Sequence, residues 1–447
     1  MDAGQAEGAV KVAVVGAGPA ACFFVDALLA GAPAEGPAIA VDVIERLPTP
    51  YGLLRYGVAP DHGKIKSVEK GLARALERPG VRFVGDVELG RTVTREQLLD
   101  AYDAVVYALG ADEPRLMGVP GEDLPGSVSA AGFVSCYSGH PDATAPLDLT
   151  QESVAVMGAG NVAIDVARTL LAGREHFAPT DVPTAVLDVL GASAVRTVYV
   201  CVRRGPHEHK FTFKEFKELV ALPRVEVSVR PQWTGPLGPE REGMHKDSVL
   251  ELLETLPPAP EPGAPLAEGC TRRLVFSFWS RPARIEGDGS VERLVVLDVS
   301  PGAAPGAELT LPVQAVLSAT GYLPRPPAGI PGAVDGEPLR HEEGRVLGPD
   351  GPLPGEYAVG WIKRGATGVI GSNKSDAAET ARSVLADLAA GSLPRDRPAK
   401  CWQPPAEAVD YAGWQRIDAG ERARGEASGR TREKVADWDE MRALARG

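Results

Sequence analysis

Val10-Lys11-Val12-Ala13-Val14-Val15 runs directly into Gly16-Ala17-Gly18-Pro19-Ala20-Ala21 and then into an apolar stretch ending near Leu29. A short Val-rich run reads as a buried parallel strand, and the stretch after the turn reads as a helix packed upon it. The turn decides the fold. Gly16 permits a tight bend. Gly18 lets a pyrophosphate approach the backbone, and the helix start beyond it presents free N–H groups and a positive dipole end. Ala21 stands at the third glycine position and still allows close packing of helix on strand. Glu45 ends the next strand, Ala40 to Glu45, where an acid accepts hydrogen bonds from an adenosine ribose.

The theme recurs. Ser153-Val154-Ala155-Val156-Met157 leads into Gly158-Ala159-Gly160-Asn161-Val162-Ala163 and a helix reaching about Leu171. Here the following strand, Thr197 to Val202, ends on Arg203-Arg204 rather than on an acid. Guanidinium groups pair with a 2′-phosphate that a carboxylate would repel, so this turn favours NADPH over NADH. Thr212 and Glu215 have capping-box spacing, and that role competes with a ribose contact for Glu215. Glu218 shares its helix face.

Outward from the two turns, Ile65 to Leu76 has helical spacing, and Val81–Val84, Ala104–Ala108 and Ala315–Ala319 read as strands. Leu274–Phe278 and Leu294–Val299 read as an antiparallel pair, Pro257–Pro265 and Pro324–Pro331 as loops, and Ser375–Leu388 as a last core helix. The expected architecture is α/β: two Rossmann-like, doubly wound, three-layer nucleotide-binding domains. Residues 1–150 and 323–447 form the outer domain and 151–322 the inserted one. The tail from Trp402 is charged, partly helical and expected to wrap the surface.

Composition removes other classes. The chain has 447 residues, 44% of them hydrophobic, and a net charge of −13. That acidity argues against broad nucleic-acid binding. Cys22, Cys136, Cys201, Cys270 and Cys401 lie far apart with no CxxC pair, which excludes a disulfide scaffold, a cysteine-held cluster or metal, and a CxxC redox centre. No run is long and apolar enough to span a membrane, and the leader lacks the pattern of a secretory signal, so a cytoplasmic protein is expected.

Four further segments are more specific than either turn: Thr49-Pro50-Tyr51-Gly52-Leu53-Leu54-Arg55-Tyr56-Gly57-Val58-Ala59-Pro60-Asp61-His62, the run Gly160 to Arg168, Arg203-Arg204-Gly205-Pro206, and Trp361-Ile362-Lys363-Arg364-Gly365-Ala366-Thr367-Gly368-Val369-Ile370. Together with Arg424 to Gly429 in the tail, they resemble the adrenodoxin reductase family of ferredoxin–NADP⁺ reductases over nearly the whole chain. The resemblance implies an FAD enzyme that takes a hydride from NADPH and passes single electrons to a ferredoxin or adrenodoxin-like iron–sulfur protein. It implies that the first turn, with Gly16, Gly18, Ala20, Glu45, Leu53 and Leu89, lines the FAD, with Trp361 and Gly368, Val369 and Ile370 against its ring system. Gly158, Gly160, Asn161 and Val162 would hold the NADPH pyrophosphate, Arg203, Arg204 and Glu215 its adenosine end, and Gly368 would also face NADP. His62 and Glu218 would lie near the nicotinamide as candidate catalytic groups. No metal, nucleic acid or membrane is implied, and a monomer is expected.

Two alternatives stay open at this point: another FAD/NADPH oxidoreductase on the same scaffold, such as a monooxygenase, and a non-catalytic nucleotide-binding scaffold. His62 fits a satisfied loop histidine as well as a proton relay, and Trp361 an ordinary core aromatic as well as a ring contact. The family's basic segment is here Met244-His245-Lys246-Asp247-Ser248, with less positive charge. Lys210, Lys214, Lys217 and Arg224 could form a docking patch or a solvated helix face.

Overall fold

Val12, Ala13 and Val14 have no exposed surface, and their side chains divide between two cores. Val10, Val12 and Val14 enter one apolar cluster; Ala13 and Val15 enter another on the opposite sheet face. A strand whose alternate residues are buried on both sides belongs in the middle of a covered parallel sheet. In the computed structural model, which describes residues 8–143, 148–230, 248–395 and 402–447, that is where it sits. Strand Val10–Val15 pairs in parallel with Ile39–Ile44 on one side and Ala104–Tyr107 on the other. The sheet continues through Val81–Val84 at one edge and through Gly351–Ala358, Arg345–Gly348 and His341–Glu342 at the other, seven strands in all. Helices Pro19–Gly31 and Ser372–Ala389 cover one face.

The second unit repeats the logic. Val154 and Val156 feed one core, Ala155 and Met157 the other, and Val198/Val200 and Tyr199/Cys201 divide the same way. Six parallel strands run in the order Ser127–Ser129, Ala315–Ser318, Ser153–Met157, Thr197–Cys201, Arg272–Ser277 and Val225–Arg230. Helices Ala130–Tyr137, Asn161–Ala172, Phe213–Val220 and Ser248–Glu254 supply residues to one core. On the other face, an antiparallel sheet of Ser280–Glu286, Arg293–Asp298 and Glu308–Leu311 contributes Ile285, Leu294, Val296 and Leu311. This unit is therefore three-layered, with one β-layer where a helical layer was expected.

The two compact units are residues 1–113 with 322–447, and residues 114–321. The first crossing lies well before the expected boundary at 150. Strand Ser127–Ser129 adds to the edge of the second sheet, and Ala130, Phe133, Val134 and Tyr137 pack into its core. Residues 114–150, expected in the outer domain, thus fall in the second unit. Leu274 also differs from expectation. Its strand is not half of an antiparallel pair but a parallel interior strand between Thr197–Cys201 and Val225–Arg230. Ile65–Leu76 is two pieces, Gly63–Lys66 and Glu69–Leu76. The tail does more than wrap the surface. Helices Tyr411–Ala427 and Trp438–Arg446 bury Trp414, Ile417 and Met441 in the first unit's core. Among the described residues no helix is long and apolar enough to cross a membrane. Residues Met244 to Asp247 of the weakly basic segment lie outside the described residues, as do the first seven residues and Cys401.

Candidate dinucleotide sites

The two glycine turns are built alike. At Gly16, φ is +104°, and a Cβ would stand 2.5 Å from the Ala108 carbonyl oxygen at the end of the neighbouring strand. At Gly158 a Cβ would stand 2.6 Å from the Ala319 carbonyl oxygen, the matching position in the second sheet. Each first glycine is thus required by the protein's own backbone. Each second glycine is not. A Cβ on Gly18 or Gly160 would meet no described atom within 4 Å. Both have extended backbones that any residue adopts, and both are the N-caps of long helices, Pro19–Gly31 and Asn161–Ala172, with no side-chain cap. Such uncapped helix starts suit a pyrophosphate.

Around the first turn, Glu45 is held from both sides. The Ala17 N–H donates to its Oε2 at 2.8 Å and the Leu47 N–H to its Oε1 at 3.0 Å. Burial pushes its carboxyl above the usual range, against the pull of those donors. Tyr51 N–H donates to the Ala17 carbonyl at 2.8 Å, and Gly52 lies against Gly18, a Cβ there falling 3.3 Å from the Gly18 Cα. Leu53 follows at 36% exposure. Gly360, just ahead of Trp361, presses on Ala20: a Cβ would meet the Ala20 Cβ at 2.6 Å. The Trp361 indole N–H donates to the Thr367 carbonyl at 3.0 Å, and its ring lies 6.0 Å from Tyr322. Gly368 and Val369 are exposed directly before the Ser372–Ala389 helix, with Val369 at 67%. Leu89 packs on the second of this unit's cores. His62 is buried and is the N-cap of helix Gly63–Lys66, its own N–H donating to the Ala59 carbonyl.

In the second unit Arg203 and Arg204 are exposed just beyond strand Thr197–Cys201, and Arg204 pairs with Glu208 at 3.3 Å. Asn161 caps a neighbour: its Oδ1 accepts from the Thr212 N–H at 2.8 Å. That bond takes the group a capping box would have used. Glu215 instead turns inward to buried Arg168, which also holds Asp165 at 2.7 Å. Lys214 reaches both Glu215 and Glu218 at 3.4 Å, so Glu218 is an exposed ion-paired residue. Lys210, Lys217 and Arg224 are exposed too.

Sequence reading missed the ion groups that support these turns. Asp376 accepts from the Gly360 N–H at 2.6 Å and pairs with buried Lys363 at 3.0 Å. Asp165 and Arg168 stand three apart on one helix, a signal the sequence did carry. The four described cysteines are free, and burial pushes the Cys22 and Cys201 thiols up to about 12, so neither is a poised thiolate.

Residues 10–183 match the model of the pyridine nucleotide-disulphide oxidoreductase family. The chain is 39% identical to NADPH-ferredoxin reductase FprA of Mycobacterium tuberculosis, the alignment covering 98% of this chain and 99% of that one. It is 36% identical to human mitochondrial NADPH:adrenodoxin oxidoreductase over 97% of this chain and 91% of the relative. The solved structure of M. tuberculosis FprA in complex with NADPH superposes with a TM-score of 0.84 at 37% identity, covering 98% of this chain and all of that one.

Proposed function

The chain belongs to the family of NADPH-ferredoxin and NADPH:adrenodoxin reductases, and from that membership we propose that its first unit holds FAD on the Gly16–Ala21 turn and its second holds NADPH on the Gly158–Ala163 turn. The activity is FAD-dependent NADPH:ferredoxin oxidoreduction, and the acceptor is an iron–sulfur protein. When bound, the two dinucleotides would supply the redox chemistry, converting the two electrons of a hydride into two single-electron transfers with its proton released.

The protein's work is to bind and orient. The observation that carries the binding of two dinucleotides is the matched pair of turns, where the first glycine is closed by protein and the second faces open space that suits a pyrophosphate. Glu45, fixed by the Ala17 and Leu47 amides, retains acceptor capacity for ribose hydroxyls. Arg203 and Arg204 present cations where an NADPH 2′-phosphate would lie. Trp361 and the Gly368–Ile370 loop bound the ring end of the first site, with the positive dipole end of helix Ser372–Ala389 to favour negative charge there. Glu215 acts through Arg168, bracing the second turn's helix rather than capping its own. His62 and Glu218 are assigned to the nicotinamide end, and Leu89 to the FAD site. The four described cysteines, free and dispersed, suit a reducing cytoplasm. We assign a monomer, which sedimentation tests.

Anaerobic titration tests the whole reading. Flavin absorbance should bleach with NADPH and respond far less to NADH, and the reduced protein should then reduce a ferredoxin. A protein that retains no flavin, or whose flavin NADH bleaches equally well, would overturn the assignments.

A further inference from the structure

Tyr51 and Gly52 bear on the Gly18 turn, and the segment 51–56 that they begin is fastened from the far end of the chain. Glu421, in helix Tyr411–Ala427, has no exposed surface. Four donors converge on its carboxylate: Arg55 Nη1 at 3.0 Å, Arg55 Nη2, Arg432 Nη1 at 2.8 Å and the Val435 N–H at 2.9 Å. Lys434 Nζ then donates to the Arg55 carbonyl at 2.8 Å, so the tail grips both the side chain and the main chain of Arg55. The tail can fold back this far because residue 425 is glycine; a Cβ there would lie 2.5 Å from the Arg432 backbone nitrogen. Arg55 also lies over the rings of Tyr56 and Trp414, and Trp414 meets Tyr51 edge-on at 5.8 Å.

At its other end the segment bears directly on the turn. Tyr51 holds φ of +80° while donating to the Ala17 carbonyl, and Gly52 sits on Gly18. A non-glycine residue persists at such a φ only where its surroundings over-determine it. Tyr51 is bounded by Tyr411 and by Trp414, and Arg55, held by Glu421, lies over the Trp414 ring. Releasing the Arg55–Glu421 pair frees residues 51–56 to move over the Gly18 turn. We propose that Glu421 is a positioning residue for the FAD site, and that the tail segment 421–435 is a latch that sets how tightly flavin is retained.

The proposal rests on the FAD assignment of the first turn. The test measures FAD release from the purified holoprotein by recovery of flavin fluorescence. Glu421→Gln, which keeps the shape and removes the charge, should release FAD at least ten-fold faster than wild type. Asp387→Asn serves as the control. It breaks an ion pair of the same unit, with Arg345 at 2.8 Å, that does not touch residues 51–56, and it should release FAD within about two-fold of wild type. Equal release from all three proteins, or equal acceleration in both variants, would overturn the proposal. Should Glu421→Gln not fold, Lys434→Met decides: faster release at an unchanged thermal midpoint supports the latch, and unchanged release refutes it. Wild-type protein that carries no FAD would instead remove the assignment on which the proposal stands.

Discussion

Replacing Gly16 and Gly18 separately by alanine tests whether the two glycines serve different masters. At Gly16 the new Cβ would lie 2.5 Å from an immovable carbonyl oxygen, with φ at +104°. Backbone strain of about 1–3 kcal/mol and overpacking of about 1–3 kcal/mol add to roughly 4 kcal/mol. At roughly 2–4 °C per kcal/mol, the flavin-free protein should melt about 8–16 °C lower. At Gly18 the backbone is already extended, with φ −70° and ψ 179°, and no described atom lies within 4 Å of the Cβ. Alanine there should stabilise the flavin-free protein by about 0.4–1 kcal/mol, by restricting the unfolded chain. On the proposed FAD assignment the same methyl would stand where the pyrophosphate approaches. Losing one charge-assisted bond of about 1.5–3 kcal/mol weakens FAD by roughly 10–150-fold. Differential scanning calorimetry of the flavin-free variants, paired with FAD titration by fluorescence quenching, measures both. A Gly18→Ala protein that melts low like Gly16→Ala, or that binds FAD as wild type does, would falsify the idea that the second glycine is kept for a ligand.

The second turn gives a matching contrast. Gly160→Ala should raise KM for NADPH and NADH alike, whereas Arg203→Ala should raise KM for NADPH by ten-fold or more, from a lost contact of about 1.5–3 kcal/mol, and leave NADH nearly unchanged. Equal loss for both coenzymes in Arg203→Ala would remove the 2′-phosphate assignment. Asp387 supplies the pH dependence. Burial raises its carboxyl, but a two-pronged Arg345 and the Tyr357 hydroxyl at 2.6 Å outweigh that and hold it below the usual range. A folded value below the unfolded one of 3.8 gives stability that is fully present above that value and lost as pH falls through the lowered one. Asp387→Asn should therefore cost about 1–2 kcal/mol at neutral pH in urea unfolding and progressively less toward pH 3; a cost independent of pH would contradict the charged pairing.

Much of this was legible in the sequence because its physics is local. A Val-rich strand, a glycine turn and a helix declare themselves within about twenty residues, and both turns lie where the sequence put them. What escaped needs partners far along the chain. Leu274 to Phe278 has the apolar density of either an antiparallel or a parallel interior strand. Only pairing with Thr197–Cys201 and Val225–Arg230 decides which. Ala130, Phe133, Val134 and Tyr137 have helical spacing, but spacing does not name a sheet, so the unit to which Ser127–Ser129 belongs is visible only in its pairing with Ala315–Ser318. Glu215 had capping spacing, yet Asn161 takes the Thr212 N–H and buried Arg168 takes Glu215. A local rule yields there because a buried guanidinium left without its carboxylates is costlier than a missed cap.

On the proposed assignments, coenzyme choice resides outside the turns. Gly16 with Ala108 and Gly158 with Ala319 make equivalent closures, and Gly18 and Gly160 are equally open, so neither turn can tell one dinucleotide from another. The difference begins one strand later. Glu45 is fixed by two backbone donors as an acceptor, while Arg203 and Arg204 offer only donors. An acceptor selects hydroxyls and repels phosphate; donors do the reverse. Placing a carboxylate at position 203 by Arg203→Glu, with Arg204→Ala removing the second cation, should therefore turn the second site toward NADH while leaving FAD release at the first site unchanged. A variant that loses NADPH without any gain for NADH would show that more than the strand end sets the choice.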